Sequence, residues 1–322
     1  MAISLFKRQQ KTINFVFTDQ VIRFVELAIG SKFEIVQADE QALPKGIIKA
    51  GKIHDYPALQ EVLLQCVKKW KIKNKKIRFI IPDPHIIIRQ IQVPLDVKED
   101  ELNNYLFLEM GTTIHLPFSE PTYDSVLLGK TETKQNVLLV ASPVEVVQSY
   151  REILEEVKLQ PIVADIGPLS LYRLCKLGEL IQDDDHVMLL NLDEQLLTLS
   201  IFHDDIPIFM RPVELQQDDD FQIMMDQSSA LDESYILEDI YSEVEKVMSF
   251  YTYSLHQGNA RVNKYFISGD HPNLEEIQKY LENRLQVHIE VLLAEINNNF
   301  SGQEVAARYT TALGLGLKEV PL

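Results

Sequence analysis

The sequence predicts an α/β protein of two similar domains that face one another, with a small α+β subdomain inserted into the first. Three observations carry this expectation. A compact meander of three strands occurs twice, once from Ile13 and again from Val187. Each meander is followed by segments that switch between helical and strand periodicity. Between the two halves, from Pro94 to Leu159, the rhythm changes to a separate helix–strand–strand–helix block.

The elements follow in order. Ile13 to Phe17 is an apolar run that Thr18-Asp19-Gln20 breaks, and Val21 to Ala28 resumes with β-branched and aromatic residues. Gly30-Ser31-Lys32 turns the chain into a third strand, Phe33 to Ala38. Pro57 to Lys71 reads as a helix, with Leu59, Val62, Leu63, Cys66, Val67 and Trp70 on one face and Pro57 in the first turn. Lys76 to Ile81 and Ile86 to Val93 are strands. Asp96 to Met110 is read as a helix capped by Asp96, with Leu102, Leu106 and Met110 at helical spacing. Tyr123 to Leu128 and Asn136 to Ser142 are strands, Pro143 to Val157 a helix, Ile162 to Asp165 a short strand, and a helix begins at Pro168.

Asp183-Asp184-Asp185 is a charged linker. Val187 to Leu192, Leu196 to His203 and Ile206 to Met210 then repeat the opening meander, with acidic turns between them. The polar stretch from Asp218 to Ser234 reads as a surface loop, and Tyr235 to His256 as the longest helix. Asn263 to Ser268 and Val287 to Leu292 are strands, Asn273 to Arg284 and Glu304 to Leu317 helices. The expected domains are 1–93 plus 160–182, the insertion 94–159, and 183–322, with 212–260 as the variable helical part of the last.

Composition excludes several classes. The 322 residues are 46% hydrophobic and 25% charged, enough for sizeable cores, and the net charge of -17 opposes a broad nucleic-acid surface. The one dense basic run, Lys68 to Arg78, reads as a solvated helix end and its turn rather than a site for an acidic partner or anionic lipid. Cys66 and Cys175 sit inside helical patterns and form neither a disulfide framework nor a zinc spacing. No apolar stretch spans a bilayer, and the start is too short for a secretory signal, so the reading is cytoplasmic.

Catalytic motifs fail on inspection. Gly129-Lys130-Thr131 resembles the end of a phosphate loop, but the glycine required five residues upstream is Asp124. The eight histidines lack the spacing of a metal site on a helix, and neither acidic triplet has calcium-loop spacing. Glycine is scarce, 12 residues in all, although backbone that approaches a phosphate needs it.

Taken in order, several segments resemble the PilM family, relatives of FtsA and actin. They are Ile22 to Leu27; Ala42-Leu43-Pro44-Lys45-Gly46-Ile47-Ile48 with Gly51-Lys52-Ile53-His54-Asp55; and Ile86 to Pro94, then Glu99 to Leu102, Glu109 and Leu116-Pro117-Phe118. Asn136 to Ser142, Tyr265-Phe266-Ile267-Ser268-Gly269 with Leu274, and Thr311 to Gly316 complete the series. The resemblance implies an actin-like fold, two duplicated RNase H-like domains, and places a remnant nucleotide pocket at Thr18, Asp19, Arg23, Asn191, Asp193, Gly269 and Asp270. It adds Glu243 and Lys246 near the adenosine, although one-turn spacing also makes these two a surface ion pair.

The departures carry the functional expectation. The family's two Asp-Ile-Gly phosphate loops align with Val16-Phe17-Thr18-Asp19 and Asn191-Leu192-Asp193, and the second glycine of the adenosine motif is Asp270. A carboxylate about 4 Å from a phosphate charge repels it by roughly 4 kcal/mol at an effective dielectric of 20. The resemblance therefore implies no catalysis and no cofactor, with ATP and magnesium relevant only to the alternative, an ATP-binding switch or weak ATPase. It implies instead a scaffold at the inner face of the cell membrane, touching the membrane only indirectly. Its machine would be a type IV pilus, a type II secretion system or a competence pseudopilus, in contact with other inner-membrane components. The partner would be the cytoplasmic tail of a PilN-like bitopic membrane protein, held at Ile88, Leu102, Tyr105, Leu106, Phe107 and Met110. Homo-oligomers stay open, and no nucleic acid is expected.

Overall fold

The computed structural model describes residues 10–30, 32–215, 229–303 and 306–318. The opening meander is β1 (Gln10–Phe17), β2 (Val21–Ile29) and β3 (Phe33–Ala42), followed by a small hairpin, β4 (Ile48–Lys49) with β5 (Lys52–Ile53). Helix α1 (Tyr56–Trp70) starts where the Asp55 carboxylate accepts from the Ala58 N–H at 3.0 Å, and it ends at Lys71 in the left-handed conformation. The next strand, β6 (Lys76–Ile81), runs parallel to β1.

The inserted subdomain is a sheet of β7 (Ile87–Pro94), β8 (Pro121–Lys130) and β9 (Lys134–Pro143) in the order β7-β9-β8, covered by α2 (Leu102–Glu109). The chain returns through α3 (Val144–Glu156), β10 (Gln160–Ile166) and α4 (Gly167–Leu177). The second half repeats the pattern with β11 (Val187–Leu192), β12 (Leu196–His203), β13 (Ile206–Glu214), α5 (Ser229–Ser249), β14 (Lys264–Gly269), α6 (Leu274–Leu285) and β15 (Glu290–Val291). A π-helical turn, Phe250–Leu255, closes α5. Last come α7 (Leu292–Ile296), β16 (Phe300–Gly302) and α8 (Thr310–Gly316).

The first sheet has the order β10-β6-β1-β2-β3-β16 and the second β13-β12-β11-β14-β15. In each, an antiparallel meander supplies three strands and later strands add in parallel beside its first member, and in the first sheet β16 also adds in parallel beside β3. This is the duplicated RNase H-like arrangement of the actin-like fold.

Burial explains the layers. Strand β2 is buried on both faces. Ile22 and Phe24 face α1 and α3, where Phe24 stacks on Trp70 at 4.9 Å. Val25 and Leu27 face the opposite way, into a core shared by both domains. In that core α4 and α8 lie between the two sheets, with Tyr172 stacked on Phe202 at 4.2 Å. The helices cross closely because Gly314 of α8 lies against the Ser170 backbone: a Cβ there would sit 1.9 Å from the Ser170 carbonyl oxygen. The outer face of the second sheet is covered by α5 and α6.

Several expectations need correction. Asp96 caps nothing: α2 starts at Leu102, because residues 95–101 form turns before the two-turn helix. The insertion runs from β7 to β9 rather than over 94–159, since β7 pairs with β9 and α3 buries Val146, Tyr150, Ile153 and Leu154 in the core of the first domain. Nor does the second domain extend to the C-terminus: β16 adds in parallel to β3, and α8 packs against the first sheet and α4. The expected strand from Val287 is only β15, and the expected closing helix is only α8. Of the expected loop from Asp218, residues 229–234 are helical and 218–228 lie outside the described residues. Arg78, taken as part of a surface basic run, is 4% exposed and donates to the Lys318 carbonyl at 2.8 Å, capping the end of α8.

Candidate functional site

The first turns of the two meanders, between β1 and β2 and between β11 and β12, face each other across the interdomain cleft. Thr18, Asp19, Arg23, Asn191, Asp193 and Gly269 line one cavity of about 320 Å³. Asp270 lines an adjoining one of about 1210 Å³ that shares Arg23, Asp193 and Gly269. The sequence therefore brings seven of its nine pocket candidates to one cleft. Glu243 and Lys246 do not join it. Glu243 is held by Arg211 of β13 at 2.8 Å and by Lys246 at 2.8 Å, and neither residue lines either cavity.

The first turn is closed on itself. The Thr18 hydroxyl accepts from the Val21 N–H at 3.1 Å and the Gln20 N–H at 3.3 Å, and the Thr18 N–H is spent on the Val21 carbonyl at 3.0 Å. The Asp19 carboxylate accepts from two successive N–H groups, Ala50 at 2.6 Å and Gly51 at 2.9 Å. In the second meander the Asp193 N–H bonds to the Leu196 carbonyl at 2.9 Å. Gly269 ends β14 with φ +120°, and a Cβ there would lie 2.0 Å from the Leu192 carbonyl oxygen, so this crossing admits only glycine.

The charges of the cleft are mostly negative and mutually engaged. Arg23, 6% exposed, is gripped by Asp270 of the second domain and by Glu40 of β3 at 3.4 Å. Glu40 also holds Arg308 at 2.8 Å. Burial, and then the charge of Asp270, push the Asp193 carboxyl well above the usual carboxylate range, with Arg23 pulling the other way. Asp83, which the sequence reading missed, lies in the Pro82-Asp83-Pro84 turn after β6, facing the Gly167 N–H at the start of α4 and the Thr198 hydroxyl of β12. Burial raises its carboxyl to about 6. Its signal in the sequence was an acid between two prolines directly after an apolar strand. Arg308 and Glu40 carried no signal. Among the described residues, no group of three or more His, Cys, Asp or Glu is arranged to hold a metal ion.

The partner-groove candidates separate into two sets. Leu102 and Leu106, 5% and 0% exposed, are core residues of the subdomain, packed with Val93, Ile114, Val137 and Leu139. A two-turn helix uses this i, i+4 pair to attach itself to its sheet. These two are not available to a partner. Ile88 packs against the core of the first domain, and Met110 against that of the subdomain. Phe107 and its neighbour Leu108 project outward, 72% and 73% exposed. Tyr105 lines a small cavity of about 250 Å³ with Arg89, Ile91 and His115.

A family model described as type IV pilus assembly protein PilM matches residues 17–221. Among solved structures, the chain is similar to the PilM-PilN type IV pilus biogenesis complex, at 18% identity over 98% of this chain and 100% of that chain, with a TM-score of 0.78. It is also similar to ethanolamine utilization protein EutJ from Carboxydothermus hydrogenoformans, at 9% identity over 96% and 89% of the two chains, TM-score 0.53. A third is MreB5 of Spiroplasma citri bound to ADP, at 9% identity over 96% of each chain, TM-score 0.50. At these identities the structural likenesses concern the fold.

Proposed function

The chain belongs to the PilM family of type IV pilus assembly proteins, and from that premise we propose that it is a non-catalytic scaffold that binds the cytoplasmic tail of a PilN-like membrane protein. It works at the inner face of the cell membrane, reaching the bilayer through that partner. No helix among the described residues is long and apolar enough to cross a membrane. The partner reading is supported by the similarity to a PilM-PilN complex over nearly the full length of both chains.

One observation carries the non-catalytic part: several cleft groups suited to an anion are already engaged by the protein itself. The Thr18, Gln20, Val21 and Asp193 N–H groups bond within their turns, those of Ala50 and Gly51 bond to Asp19, and Arg23 and Arg308 are held by carboxylates. A magnesium nucleotide does not fit this lining. Its phosphates would meet the Asp19 carboxylate and the buried side chains of Asp83 and Asp193.

Two measurements on the intact protein test the proposal. Titrating a PilN-like tail peptide by calorimetry is expected to give saturable binding, and absence of binding refutes the partner role. Thermal unfolding with millimolar Mg-ATP is expected to show no shift. A ligand at a hundred times its Kd stabilises by about 2.7 kcal/mol, so a clear magnesium-dependent shift would replace the scaffold with an ATP-gated switch.

A further inference from the structure

We propose that the two domains are latched by the protein's own side chains, with Asp270 of the second domain taking the place on Arg23 that an anionic ligand would otherwise hold. The inference rests on the nucleotide-free reading and gives it a physical cause. Three different anion-binding devices converge on the cleft, and each faces an internal carboxylate. Asp19 accepts from the successive Ala50 and Gly51 N–H groups. Asp83 stands before the Gly167 N–H at the N-terminus of the 11-residue helix α4. Asp270 grips the Arg23 guanidinium.

The third contact differs from the others in what it joins. Arg23 lies on β2 of the first sheet, and Asp270 follows β14 of the second, 247 residues away. Glu40 of β3 and Arg308 extend the pairing into a chain of four alternating charges. Arg23 is nearly sheathed, so its charge is poorly hydrated, and an unpaired guanidinium there is costly. In a fold whose two halves meet around a ligand, this contact supplies closure without one.

The test is a thermal double-mutant cycle with Asp270→Ala, Arg23→Ala and the double variant, each with and without millimolar inorganic pyrophosphate. Asp270→Ala is expected to melt about 5–10 °C lower, as for a broken buried ion pair in a domain pair of this size. The double variant is expected to lose less than the two single losses together. Pyrophosphate should restore part of the loss in Asp270→Ala, where Arg23 keeps only Glu40, and should leave the parent and Arg23→Ala unmoved. Additive single losses, or an Asp270→Ala variant that melts with the parent, would overturn the latch, as would stabilisation of the parent by pyrophosphate. Tail-peptide binding by the parent reports on the scaffold proposal independently of the cycle.

Discussion

Phe107 and Leu108 provide the sharpest test of where the partner binds. The perturbation is truncation: Phe107→Ala, Leu108→Ala and the pair together. Both side chains are more than two-thirds exposed, so the folded protein loses almost no packing, and stability should stay within about 0.5 kcal/mol of the parent. If a tail covers them, each buries a large apolar side chain worth about 1.5–3 kcal/mol, and each truncation should weaken binding about tenfold to a hundredfold. Leu106 is the necessary contrast. It is 0% exposed in the subdomain core, so Leu106→Ala should cost about 2–5 kcal/mol in stability whether or not a partner binds nearby. Calorimetric titration of a PilN-like tail, paired with urea unfolding of each variant, separates the two effects. Unchanged affinity in the folded Phe107→Ala/Leu108→Ala protein would refute the assignment of this helix face.

Two further outcomes follow from packing and protonation. Burial raises the Asp83 carboxyl from 3.8 to about 6, so the native state holds this proton more tightly than the unfolded chain does. Its contribution is therefore full below about pH 4 and is lost as pH rises through about 6, a change on the order of 3 kcal/mol. Asp83→Asn, which keeps the uncharged form, should flatten the fall of the urea midpoint between pH 4 and 6, and an unchanged slope would contradict the assignment. Gly314→Ala should destabilise despite the roughly 1 kcal/mol that alanine gains over glycine in a helix. The added methyl would lie 1.9 Å from a backbone oxygen of Ser170, so α8 and α4 must part by more than about 1 Å. A higher denaturation midpoint in that variant would mean the crossing is looser than described.

Much of the fold is written locally. Compact apolar runs broken by Thr18-Asp19-Gln20 and Asp193-Glu194-Gln195 announced both meanders, and Pro57 with the face from Leu59 to Trp70 announced α1, because turn chemistry and helical periodicity act within a few residues. The tertiary structure alone decided which partners those segments met. The three-residue strand β16 carries no periodic signal, and it pairs with β3 only because α7 brings the chain back to the first sheet before α8 packs between the sheets. The amphipathic pattern of α3 is equally compatible with either neighbouring core, and it is the parallel pairing of β10 with β6 that holds it to the first domain. Leu106 and Phe107 are adjacent apolar residues in sequence, yet one is core and the other surface, since a two-turn helix has only one face to bury. Likewise Arg23, Glu40, Asp270 and Arg308 are ordinary charges scattered along the chain. They become one connected array because two sheets close on each other, and an ion pair's energy depends on distance and burial that no local pattern encodes.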